Sequence, residues 1–226
     1  MDDYLSEKEQ WDYVKTWVRE NLLWVVAGVA VGAALLGGWR WWQDHVDRQG
    51  VDASAKYQEV VNTLASDRNK GFVLLGELEH DYASSPYVDQ AKLVAARVYV
   101  DSNELDKAAA QLQDVLQRTK DKELALVARL RLARVQISQN KADDAIKTLN
   151  GTDAGAFAAR FHEVRGDAYH LKGDDAAALK EYQAARLGDV ADTVDPQLLD
   201  LKIADLPASA GTTPKPAPPT PAAAAK

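Results

Sequence analysis

The chain has 226 residues, a formal charge of −7, a sequence pI near 5.1 and no cysteine. The acidic balance argues against a nucleic-acid partner, which needs concentrated Lys and Arg on one face. Without Cys there are no disulfides, no Cys-ligated zinc and no thiol chemistry, while cytosol and periplasm both stay open as compartments.

Ser6 followed by Glu9 is a capping-box pattern, and Trp11, Val14, Trp17 and Val18 then recur at helical spacing, so residues 1–21 read as an amphipathic segment leading into a membrane. Such a helix either rests its Trp side chains at the lipid interface, the reading we take, or binds a partner. From Leu22 to Trp39 follow 18 uncharged residues. As a helix they span about 27 Å, close to the roughly 30 Å of a bilayer's hydrocarbon core. A cleaved signal would start basic and end in a small-x-small site. The leader before Leu22 instead carries six acids against three bases, and the run exits into Gly37-Gly38-Trp39-Arg40-Trp41-Trp42. Trp24 at one end and Trp39, Trp41 and Trp42 at the other fence it, as amphipathic rings do at a lipid interface. We predict one transmembrane helix over residues 22–42, surrounded by membrane lipid. Lys8, Lys15 and Arg19 on one side balance Arg40, Arg48 and Lys56 on the other, so charge leaves the orientation open. Gly28 and Gly32 make a G-x-x-x-G. It marks a face for packing against another helix, as in a dimer, or it reflects the abundance of Gly and Ala in membrane helices.

After Gln43 no Trp recurs, and to about Leu206 the pattern is helix after helix with short polar connections such as "SDRNKG", "DSNE", "SQNK" and "LKGD". The fold class is therefore all-α, and an internal repeat is visible. "ARVYVDSNELDKAAAQL", "ARVQISQNKADDAIKTL" and "GDAYHLKGDDAAALKEY" each place a small residue (Ala96, Ala133, Gly166), an Ala twelve later (Ala108, Ala145, Ala178) and a bulky residue four further on (Leu112, Leu149, Tyr182). In a stack of helix pairs the small residues let the two helices of a pair approach, and the bulky one fills the gap between pairs. The spacing resembles the tetratricopeptide repeat, without that family's early Trp or closing Pro. A generic Ala-rich helical bundle is the other reading.

"VDASAKYQEVVNTLA" and "FVLLGELEHDYASSPYVDQ" read as two further helices that cap or extend the array, with Ser84-Ser85-Pro86 as the break before the repeats. "VDPQLLDLKIADL" makes a last amphipathic helix with Leu198, Leu201 and Leu206 among its apolar residues, which closes a domain over residues 43–206. The Pro- and Ala-rich tail, 207–226, has no large apolar side chain with which to offset its ordering entropy and is expected to be disordered.

Catalytic and metal signals are weak. Of His45, His80, His162 and His170, the last two share one helical stretch with Glu163 and Asp167, but "HEVRG" lacks the second His of a zinc-protease motif. No phosphate-binding glycine loop or serine elbow is present, so we expect no enzyme, no cofactor and no metal. Binding is expected on the concave side. Positions one turn before and after each small residue give Leu93, Arg97, Val100, Leu130, Arg134, Ile137, Glu163, Asp167 and His170. Arg97 and Arg134 are equivalent in successive units and form a basic groove with an acidic end. The Lys and Asn carboxylate clamp of chaperone-tail repeats is not supplied here.

"GWRWW", "DSNELDKAAAQLQDVL" and "LRLARVQISQNKADDAIKTL" together resemble the YfgM-like ancillary subunits of the SecYEG translocon, over about residues 4–206. That resemblance implies a single-pass protein of the bacterial inner membrane, with residues 1–21 cytoplasmic and a periplasmic tetratricopeptide-repeat-like domain. It also implies association with SecYEG and with the membrane-anchored chaperone PpiD, to help newly translocated proteins. A membrane-tethered regulator, whose leader from Tyr4 to Val18 sequesters a cytoplasmic stress-response regulator, is the alternative.

Overall fold

The computed structural model describes residues 7–187 and 194–207, and every regular element among them is helical. Ser6, the cap of the predicted capping box, and all of the tail beyond Pro207 lie outside the described residues. The chain divides into two units, Met1–Ala55 and Lys56–Lys226.

The first unit begins with α1 (Glu7–Glu20), closed by Asn21, whose side-chain amide donates to the Trp17 carbonyl at 2.8 Å. Then comes α2, Leu22–Ser66. Its apolar first part presents Leu22, Leu23, Trp24, Val26, Val29, Leu35 and Leu36 as exposed side chains, with Trp39, Trp41 and Trp42 beyond them. The helix is long and apolar enough there to cross a membrane. It does not stop at Trp42 but runs unbroken to Ser66. The stretch after Gln43 contains no Pro and, as its one glycine, Gly50, which costs about 1 kcal/mol relative to Ala without breaking a helix. The stop comes at Asp67, an extended residue whose carboxylate accepts from the Lys70 amide and so caps the next helix.

The second unit starts with the last turns of α2, which pair with α3 (Arg68–Asp81). Val60 and Leu64 pack there against Leu74, Leu75 and Leu78. Gly71 allows this approach, since a Cβ on it would stand 2.7 Å from the Leu64 backbone. Ser85 caps and Pro86 opens α4 (Pro86–Asp101), as the predicted break requires. Three hairpins follow in register with the three repeats: α4 with α5 (Leu105–Arg118), α6 (Lys122–Ser138) with α7 (Ala142–Leu149), and α8 (Ala158–Lys172) with α9 (Asp175–Leu187). A single 3-10 turn, Gly155–Phe157, leads into α8, and α10 (Pro196–Ala204) closes the described array.

The repeat residues do what their spacing predicts. Ala96, Ala108 and Leu112, then Ala133, Ala145 and Leu149, then Gly166, Ala178 and Tyr182 are all buried. The third unit trades sizes: where the others set Ala against Leu, it sets Gly166 against Tyr182, and a Cβ on Gly166 would lie 2.5 Å from the tyrosine ring. The turns repeat as well. Asn103, Asn140 and Gly173 take left-handed φ values of 58°, 61° and 82°, each seven positions after the small residue. The next amide of each turn returns to the helix carbonyl five residues back, Glu104 to Tyr99 at 2.8 Å, Lys141 to Gln136 at 2.8 Å and Asp174 to Tyr169 at 2.9 Å. At the far end, Leu199 and Leu206 enter the core of α8 and α9, whereas Leu198 and Leu201 face solvent.

Candidate functional site

The first helix of each hairpin, α4, α6 or α8, presents two edges to its neighbours. The forward edge of α4, made by Leu93, Ala96 and Val100, faces the backward edge of α6, made by Arg131, Val135 and Ser138. Arg97 and Arg134 stand at the crests between edges. These residues, with Leu112 of α5 beneath, line a cleft of about 300 Å³. Leu93, Ala96, Leu112 and Val135 are its buried apolar floor, and Arg97, Arg131 and Arg134 are exposed at its rim.

The rim is electrostatically unbalanced. Arg97 lies 3.8 Å from Asp101 on its own helix, and Arg134 lies 3.8 Å from Glu163 of α8. Among the described residues no carboxylate pairs with Arg131. Its guanidinium is pushed below the usual arginine range by partial burial first, and then by repulsion from Arg97 and Arg134.

The next junction, between α6 and α8, is filled instead. The position equivalent to Arg131 is there Val164, fully buried with Leu130, Ala133, Phe161 and Ala168, and Ile137 packs on the same cluster. The third junction, α8 against α10, is closed by charge. Lys202 donates to Glu163 at 2.8 Å and to Asp167 at 2.9 Å, and the Tyr182 hydroxyl donates to Asp167 at 2.8 Å. Burial, then the Asp167 charge, raises the Tyr182 phenol far above its usual range and keeps it a donor.

The predicted concave residues therefore divide. The structure brings Leu93, Arg97, Val100 and Arg134 together in the open cleft. It places Leu130 and Ile137 in the α6–α8 core, and gives Glu163 and Asp167 to Lys202. His170 is exposed and bonded to Asp175 at 2.8 Å, while His162 is bonded to Glu181 at 2.7 Å. Arg131 was not among the predicted residues, because it lies on the other edge of its helix, one turn from Val135 and with Ser138 beyond. Gly28 and Gly32 belong to the first unit, and a Cβ on either would meet nothing within 4 Å.

Stacked helix hairpins of this kind, joined by equivalent turns, define a helical-repeat domain. The family model of the tetratricopeptide repeat-like domain matches residues 15–208. An ancillary SecYEG translocon subunit of Escherichia coli (strain K12) is 36% identical over 91% of this chain and 99% of its own length. Proteins of the same name from Haemophilus influenzae and Neisseria gonorrhoeae are 28% and 27% identical, over 80% and 91% of this chain and 89% and 100% of their own. The chain belongs to this tetratricopeptide repeat-like family of ancillary SecYEG translocon subunits.

Proposed function

We propose that this protein is a non-enzymatic, membrane-anchored adaptor at the SecYEG translocon. The observation that carries the reading is the 36% identity to an ancillary translocon subunit along 99% of that relative's length. The apolar part of α2 is the anchor, in contact with lipid, with residues 1–21 on the cytoplasmic side and residues 43–206 forming the periplasmic domain. Tethering holds the helical array beside the translocon exit, where it raises the local concentration of a binding surface around emerging chains. A PpiD-like chaperone is the partner to which they pass. The open surface over Gly28 and Gly32 serves contact with another membrane helix, in the translocon or in a second copy.

Co-purification of the full-length protein in mild detergent tests this. SecYEG subunits and a membrane-anchored periplasmic chaperone should be recovered, and deleting residues 2–18 should leave that recovery intact. Loss of translocon subunits from the intact protein, with recovery of a cytoplasmic regulator that depends on residues 2–18, would replace the adaptor with the regulatory reading. Gly28→Leu with Gly32→Leu should reduce recovery of whichever membrane helix packs there.

A further inference from the structure

The helices α4, α6, α8 and α10 form three successive junctions, and two of them are complementary. At the second, Arg134 faces Glu163 across an apolar core; at the third, Lys202 bridges Glu163 and Asp167. The first sets Arg97 and Arg134, each 3.8 Å from one carboxylate, beside Arg131, which has no acidic partner among the described residues. Like charges gathered over a desolvated floor are costly unless a counter-charge joins them, and the third junction shows the chain supplying one where it closes a groove itself.

We propose that the α4–α6 cleft binds a polypeptide segment that presents a side-chain carboxylate next to an aliphatic side chain. The carboxylate takes the place at the Arg97–Arg131–Arg134 rim that Lys202, with charges reversed, takes at the third junction. The aliphatic group enters the floor of Leu93, Ala96, Leu112 and Val135. A cleft of about 300 Å³ lies at the lower end of the roughly 300–1,000 Å³ usual for ligand pockets, which suits one or two side chains rather than a cofactor. Guanidinium groups fit this ligand because their planar fork meets a carboxylate with two parallel hydrogen bonds, which a lysine cannot do. Arg131 is the pivotal group. Among the described residues it has no acidic partner to give up, so the ligand breaks no existing pair at that position. The inference rests on reading the domain as a binding module, and it names the class of segment bound.

The test is fluorescence anisotropy of short labelled peptides, amidated at the C-terminus, with full-length protein in detergent at low ionic strength. An alternating Leu–Glu peptide is compared with Leu–Gln and Leu–Lys peptides of the same length. Leu–Glu should bind at least about tenfold more tightly than Leu–Gln, and Leu–Lys should not bind. Arg131→Gln should remove most of the preference for Glu over Gln, Arg131→Lys should keep part of it, and added salt should weaken Leu–Glu binding. Far-UV circular dichroism shows that the variants are folded. Equal binding of Leu–Glu and Leu–Gln, no binding of Leu–Glu, or an unchanged preference in Arg131→Gln would overturn the proposal. Failure here with translocon subunits still recovered in co-purification sinks this inference alone. Selective Leu–Glu binding without such recovery sinks the adaptor reading alone.

Discussion

The first and third junctions of the array share one spacing and carry opposite charge. At the third, Glu163 and Asp167 meet Lys202 and the groove is shut by the chain's own α10. At the first, Arg97, Arg131 and Arg134 meet over an apolar floor that no other described element covers. The repeat dictates where side chains meet, and the identity of the residues on the two facing edges then decides whether a junction is sealed or open. Junction two makes the same point with volume: Val164 fills the place that Arg131 takes at junction one.

Exchanging these positions gives the largest effect. Val164→Arg would drive an unpaired guanidinium into a fully buried site. It should cost more than about 3 kcal/mol in urea unfolding, enough to leave the domain partly unfolded. Breaking the seal of the third junction comes next. Lys202→Met leaves the buried Glu163 with Arg134 alone, at 3.8 Å, and removes the cation from its neighbour Asp167, and should cost about 1–3 kcal/mol. The size trade in the third unit predicts a smaller loss with a distinctive rescue. Gly166→Ala places a methyl against the Tyr182 ring and should cost about 1–2 kcal/mol despite the better helix propensity of Ala. Adding Tyr182→Leu, which restores the Ala–Leu pairing of the other units, should recover part of it, and simple additivity would show that the trade is absent.

Much of this fold was legible in the sequence because helix pairs impose size. Ala96, Ala133 and Gly166 must be small, and Leu112, Leu149 and Tyr182 bulky, for helices to approach as closely as they do, so the residues show it directly. The site was half legible. Arg97 and Arg134 stand at crests, where their equivalence is visible, but Arg131 sits on the opposite edge, and nothing local marks which neighbour an edge will meet. Lys202 reaches Glu163 across 39 positions, a pairing that no periodicity encodes. The run of α2 past Trp42 escaped because a change of composition from apolar to polar is not a helix stop. The shared left-handed turn of Asn103, Asn140 and Gly173 falls on the two residue types that adopt it most readily, Asn and Gly. Gly173→Ala should cost about 1 kcal/mol because alanine resists φ near 82°, while Asn140→Gly should change stability by a few tenths at most.

A small expected change carries the most weight. Replacing Arg131 by Leu preserves helix propensity, removes the repulsion from Arg97 and Arg134, and adds apolar surface beside Leu93 and Val135. If the first junction is held open for a ligand at some expense in stability, urea unfolding of full-length Arg131→Leu in detergent, followed by far-UV circular dichroism, should show a gain of about 0.5–1 kcal/mol. A loss of stability in Arg131→Leu would mean that the arginine is already satisfied within the fold, and would contradict the account.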